Sequence, residues 1–165
     1  MLLFEKNTNH IKSIQSMVQL IRTNSTNEDF IQLVRLLDAE LAIKDGEDHA
    51  FYHQFNSITN LNYVIVAYKN EQAIGCGAIK SFDNSAMEVK RMFVPESARG
   101  LGIATKILNE LETWAADLGY KKCVLETGKK QMEAIALYKK CNYQIIPNYG
   151  QYEGIENSIC FEKQL

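Results

Sequence analysis

The sequence predicts a mixed α/β domain of the α+β kind: a twisted, mostly antiparallel sheet with a parallel pair at its centre and four flanking helices. Three observations predict it. The runs "YVIVAY" (63–68), "AIGCGAIKSF" (73–82) and "AMEVKRMFV" (86–94) follow one another through the short polar links "KNEQ" and "DNS", the pattern of consecutive antiparallel strands. The stretch 102–118 then sets Ala104, Ile107, Leu108, Leu111, Ala115 and Leu118 at helical spacing, with Gly119 suited to end the helix. A strand-like run, "KCVLE" (122–126), follows, so strand, helix and strand form a crossover that lays two parallel strands side by side.

The other elements read outward from this centre. "MVQLIR" (17–22) alternates as a first strand. Thr26 or Asn27 can cap a helix whose first turn holds Glu28 and Asp29 and whose face carries Phe30, Val34, Leu37 and Leu41, to about residue 43. A second short helix is expected over 48–56. A further helix is expected over 131–142, and "YQIIP" and "NSICFEK" read as closing strands. Residues 1–16 are expected to be an N-terminal extension, and 17–165 one domain.

Composition excludes several classes. With 18 Lys and Arg against 20 Asp and Glu, the net charge of -2 gives no general attraction to nucleic acid or to an anionic membrane. No apolar run reaches a membrane-spanning length, and Glu5 and Lys6 interrupt the apolar start too early for a signal peptide, which points to the cytoplasm. Cys76, Cys123, Cys141 and Cys160 form no CxxC pair and sit in apolar or mixed runs, as buried reduced thiols do. His49 and His53 are four apart, but no carboxylate completes an HExxH motif, and no metal is expected.

The stretch "VPESARGLGIATKI" (94–107) sets Arg99, Gly100 and Gly102 between a strand and a helix. A helix start offers unpaired N–H groups and a partial positive charge, and glycine lets an anion approach the backbone. The turn is therefore either a pyrophosphate cradle or a turn that needs glycine for its own shape. A P-loop would need Lys-Ser/Thr where Ile103-Ala104 stands, and a dinucleotide fingerprint would need glycine at Thr105.

The residues 99–104 match in full the Gln/Arg-x-x-Gly-x-Gly/Ala pattern of the GNAT superfamily of N-acetyltransferases. "EVKRMFVPESARGLGIATKILNELETWA" resembles that family's strand, cradle and helix, and "LETGKKQMEAIALYKKCNYQIIPNYGQY" its next strand and helix. "SICFEKQL" is similar to the last strand of its common bacterial small-substrate branch. The likeness covers 62–165 well and 17–61 loosely.

The resemblance implies the GNAT fold, with the parallel pair splayed around acetyl-CoA. It implies transfer of an acetyl group from acetyl-CoA, as cosubstrate, to the primary amine of a small or amino-acid-like acceptor in a ternary complex. Peptide or protein N-acetylation and non-catalytic acyl-CoA sensing are the alternatives, and a homodimer is compatible with it. By position, Met92, Phe93 and Val94 would lend backbone groups to the pantetheine and the thioester oxygen. The N–H groups from Arg99 through Gly100, Leu101, Gly102 and Ile103 to Ala104 would hold the pyrophosphate, with the Arg99 fork and the Thr105 hydroxyl beside them. Gln131 stands where many members have an asparagine that contacts the pantetheine, and it keeps an amide there. Tyr138 falls on the family's general acid; on its own it reads rather as a core aromatic of an amphipathic helix. Glu88 is the candidate general base, unless "EVKR" is a set of strand charges paired across the sheet. Glu47, Tyr52, His53, Tyr149 and Tyr152 fall where the family builds its acceptor site.

Overall fold

The computed structural model describes residues 17–165; the extension expected at 1–16 lies outside the described residues. Strand β1 (Gln19–Thr23) leads into helix α1 (Glu28–Asp45). Asn27 is the cap: its side-chain oxygen accepts the Phe30 N–H at 2.9 Å, while Glu28 and Asp29 face the positive end of the helix. The helix runs a little past its expected end and stops at Gly46, whose φ of 55° ends the helical path. The helix expected over 48–56 is a 3-10 turn at Gly46–Asp48 followed by a short α2 (His49–His53).

The sheet then builds through β2 (Tyr63–Lys69), β3 (Gln72–Ser81) and β4 (Ala86–Phe93), crosses over through α3 (Ile103–Asp117) to β5 (Lys122–Gly128), and continues through α4 (Met132–Lys140) to β6 (Gln144–Ile146) and β7 (Ser158–Gln164). The seven strands lie in the order β1-β2-β3-β4-β5-β7-β6, and every pair is antiparallel except β4 with β5. The mixed, mostly antiparallel architecture with a central parallel pair is the one the sequence predicts.

Side-chain alternation divides the core between the two faces. On β2, Ile65 and Ala67 join the cluster under α3, which also holds Ile79, Met87, Leu125, Ile107, Leu111 and Tyr138. Val64 and Val66 point the other way, against Phe30, Leu33, Val34 and Leu37 of α1. Because β2 is buried on both faces, its run is apolar throughout. Gly75 and Gly77 of β3 let α3 lie close on the sheet: a Cβ at Gly77 would stand 2.5 Å from the Met92 sulfur and 2.9 Å from Leu111 Cδ1.

Two features open the centre of the sheet. The β4–β5 ladder pairs only Ala86 with Lys122, Met87 with Cys123 and Glu88 with Val124, and beyond these the strands diverge. On its other side β4 carries a bulge, because Ala78 pairs with Lys90 but Cys76 pairs with Phe93, leaving one extra residue on β4. Arg91 sits in the bulge at φ 57°, a left-handed conformation that a long side chain rarely adopts. Its guanidinium, 2% exposed, bonds Asp38 of α1, and its carbonyl lies 3.5 Å from the Cys76 thiol.

Candidate active site

Two cavities meet where β4 and β5 part. The first runs along the start of α3, between Glu40 and Lys44 of α1 and Glu133 and Leu137 of α4. The second lies on the α1 and α2 side, between Tyr52, Lys90, Glu126, Thr127 and Tyr152. Leu37, Met92, Gln131, Ala134 and Tyr138 line both.

The first cavity ends on the glycine turn. Gly100 and Gly102 have φ values of 79° and 76°, and a Cβ on either would have nothing within 4 Å. The turn therefore needs glycine for its shape, and it also leaves open space in front of its backbone. The first α3 hydrogen bond runs from the Lys106 N–H to the Gly102 carbonyl, so the N–H groups of Ile103, Ala104 and Thr105 have no helical partner. With the helix dipole behind them, they form a setting that favours an anion. The Ile103 side chain is buried under the sheet and fixes the direction of the helix, while Leu101 projects outward.

Arg99 is arranged differently from a free donor fork. Its N–H closes a 3-10 turn onto the Glu96 carbonyl at 3.2 Å. Its Nε donates to the Val94 carbonyl at 2.8 Å, and its terminal nitrogens reach the Glu40 carboxylate at 2.7 and 3.0 Å and Glu133 at 3.3 Å. Arg99 thus ties the end of β4 to α1 and α4, and the unengaged N–H series starts after it. Phe93 packs with the α1 cluster and Val94 with the α3 cluster, so the chain crosses the sheet at this point.

Tyr138 stands at the junction of the cavities, 6% exposed, beside the rings of Tyr143 and Phe161. Burial pushes its phenol well above the ordinary value, so it holds its proton at any physiological pH. Gln131, just ahead of α4, donates to Asp45 at 3.3 Å and spans from α4 to the end of α1.

The second cavity holds a group that the sequence reading did not single out. Glu126 lies on β5 just past the last β4–β5 pair, and its Oε1 is buried with no hydrogen-bond partner. Burial lifts its carboxyl to about 7, although the Ser158 hydroxyl and the Lys90 ammonium pull the other way. Its signal in the sequence is a lone carboxylate ending the apolar run "CVL", in register to face the opened part of β4. Glu88 lies on the same face of the sheet, 4% exposed; it accepts the Tyr149 hydroxyl at 2.7 Å and stands 3.7 Å from Lys90 Nζ. Of the other expected acceptor-site residues, Tyr52 and Tyr152 line the cavity, Tyr149 bonds Glu88 outside its lining, and Glu47 and His53 are exposed. His49 and His53 have ring centroids 5.2 Å apart, and among the described residues no three His, Cys, Asp or Glu side chains converge as metal ligands.

A carboxyl raised by burial is neutral-favouring in the fold. Its penalty is absent below the ordinary value near 4.5, grows as pH rises, and is complete above about 7. Glu126→Gln removes a charge that the fold disfavours by on the order of 1–3 kcal/mol. Its melting temperature should exceed that of the parent at pH 8 and match it at pH 4.5. Equal differences at both pH values in calorimetric scans would show that the Glu126 proton is not perturbed.

The geometry agrees with comparisons to known proteins. The model of the acetyltransferase (GNAT) family matches residues 30–143. The IAA acetyltransferase of Azospirillum brasilense is 31% identical over 151 residues, covering 90% of this chain and 98% of that protein. The uncharacterized N-acetyltransferase YjgM of Escherichia coli is 28% identical over 142 residues, covering 80% and 84%. Among solved structures, one from Klebsiella pneumoniae superposes with a TM-score of 0.77 at 27% identity, over 91% of this chain and 99% of that one. A GNAT family acetyltransferase from Elizabethkingia anophelis, crystallised with acetyl-CoA, shares the fold with a TM-score of 0.64 at 19% identity, over 90% and 98%. A cradle of free N–H groups at a helix start, a parallel pair that splays beside it and a sequence match over most of the chain lead to one conclusion: the chain belongs to the GNAT family and is an acetyl-CoA-dependent acetyltransferase.

Proposed function

We propose that the protein acetylates the primary amine of a small molecule by direct transfer, with both substrates held at once. The observation that carries this reading is the meeting of two cavities at Tyr138, one ending on the cradle and the other holding Glu126. The N–H groups of residues 100–105 hold the donor's pyrophosphate, while Met92 and Gln131 flank its pantetheine arm. Glu126 takes a proton from the acceptor ammonium, and the freed nitrogen lone pair forms the new C–N bond. As the C–S bond breaks, Tyr138 gives its proton to the leaving sulfur and recovers one from the acylated nitrogen, which sheds its second proton to become the neutral amide. No covalent enzyme intermediate is needed, because holding the reactants together supplies much of the rate. The buried cysteines take no part: burial pushes Cys76 and Cys123 up to about 12, far from a reactive thiolate. Four free cysteines and the absence, among the described residues, of a helix able to cross a membrane support work in the cytoplasm.

Glu88 supports a second reading of the base. Its carboxylate is buried 3.7 Å from Lys90 and could draw the proton through an intervening group. A pH series separates the two. With Glu126 as base, kcat/KM should rise with pH through about 7, the range in which its carboxyl ionises. Glu126→Gln should lower the rate about 100-fold or more and abolish that limb, whereas Glu88→Gln should keep it. The reverse pattern would make Glu88 the base. Tyr138→Phe should retain acetyl-CoA affinity and lose about ten- to a thousand-fold in kcat; wild-type turnover would return Tyr138 to a packing role. If no amine in a broad panel elicits thiol release while acetyl-CoA binds, the small-molecule reading of the acceptor fails.

The cradle is tested separately. Gly102→Glu should reduce CoA affinity at least tenfold in calorimetry, because it sets a negative side chain where the pyrophosphate lies. Gly102→Ala shares the strain of the positive φ but adds no charge, and should lose much less. Equal losses in both variants would trace the effect to backbone strain.

A further inference from the structure

Beyond the second cavity lies an outer depression, and Lys90 lines both. Its wall is built from Lys80 and Lys90 with the amides and hydroxyls of Gln54, Ser57, Thr59 and Gln151, and no carboxylate lines it. The two lysines are neighbours by register. Lys80 pairs with Glu88 and Ala78 with Lys90, so both lysines stand on the same face of adjacent strands, diagonally across the ladder. Lys90 has only 10% of its side chain exposed, and the nearest carboxylate is Glu88 at 3.7 Å, itself shared with the Tyr149 hydroxyl. Lys80 is exposed, and no carboxylate of the described residues lies within salt-bridge distance of it. Two ammonium groups thus stand against one carboxylate at the outer end of the acceptor path. At its inner end Glu126 presents an unpartnered carboxyl oxygen.

A simple alkylammonium entering through the outer depression passes the ammonium groups of Lys80 and Lys90, and like charges repel. An acceptor with its own negative group reverses the sign of that encounter. We infer that the acceptor is an amine bearing a carboxylate, as in an amino acid, held with the carboxylate at Lys80 and Lys90 and the amine turned inward to Glu126. Burial already draws the Lys90 ammonium below its usual range, and an incoming carboxylate supplies the partner charge that Glu88 provides only in part. The inference rests on the acetyl-transfer reading for the role of the inner end, but the anion site stands on Lys80 and Lys90 alone.

Matched pairs test it with the intact protein and acetyl-CoA: L-phenylalanine against 2-phenylethylamine, and 3-aminopropanoate against ethylamine, followed by thiol release. The carboxylated member of each pair should have the higher kcat/KM, by about tenfold or more. Lys80→Gln should raise its KM about five- to tenfold at unchanged kcat, and leave the plain amine unaffected. Preference for the plain amines, or an equal effect of Lys80→Gln on both members, overturns the inference. A binding arm needs no turnover: N-acetyl-L-phenylalanine and N-acetyl-2-phenylethylamine are titrated into the CoA-loaded protein. Tighter binding of the acid, lost in Lys80→Glu, supports the anion site even if no amine is acetylated, and in that event the acetyl-transfer reading fails alone. Equal binding of acid and amide overturns the anion site.

Discussion

The left-handed backbone of Arg91 and the ion pair that holds it set the shape of everything around the reaction centre. A regular β4 would continue its ladder with β5 and close the sheet, leaving no room for a substrate. The extra residue at Arg91 turns the strand away, and the buried guanidinium bonded to Asp38 keeps the bend in place from α1. An arginine at positive φ is costly, and its Nε is left without a partner, so the bend exists only because the surrounding packing dictates it. Met92, the next residue, is thereby brought to the junction of the two cavities.

Helix α1 works as a strut for both halves of the cleft. Asp38 secures the bulge, Glu40 secures Arg99 at the cradle, and Asp45 receives Gln131 from α4. Three carboxylates on one helix thus fix three separate segments of the chain. Along the acceptor path the charges are set against folding: Glu126 and Asp45 are both held above their ordinary values by burial, and Lys90 below its own. Of these, Glu126, lifted to about 7, is the group able to exchange a proton near neutral pH.

Much of this was legible in the sequence. The strand runs, the α3 periodicity and the polar links gave the element order, and the Arg-Gly-Leu-Gly-Ile-Ala stretch marked the open glycine turn at the start of α3, because both rest on short-range patterns. The divergence of β4 from β5 was not legible from periodicity, since "EVKRMFV" contains no Gly, Asn or Pro to mark a bulge at Arg91. The second carboxylate was hidden for a related reason. Glu126 acquires its buried setting from Ser158, Tyr52 and Lys90, residues distant in sequence and joined only by the β5–β7 pairing and the packing of α2. The engagement of Arg99 with Glu40, 59 positions away, is likewise a tertiary fact that no local motif announces.

The glycines fall into two kinds with opposite consequences for how this sequence can drift. Gly75 and Gly77 face packed atoms, so any larger residue is felt by the fold itself and would be removed by selection for a stable chain. Gly100 and Gly102 face empty space, and their replacement strains only the local backbone. A survey of variants that scores abundance or heat resistance would find the first pair intolerant and the second comparatively permissive. If the turn holds the donor as proposed, only a readout that includes the nucleotide would restore the second pair to its rank, and a lineage that ceased to use the donor would be expected to lose these glycines first.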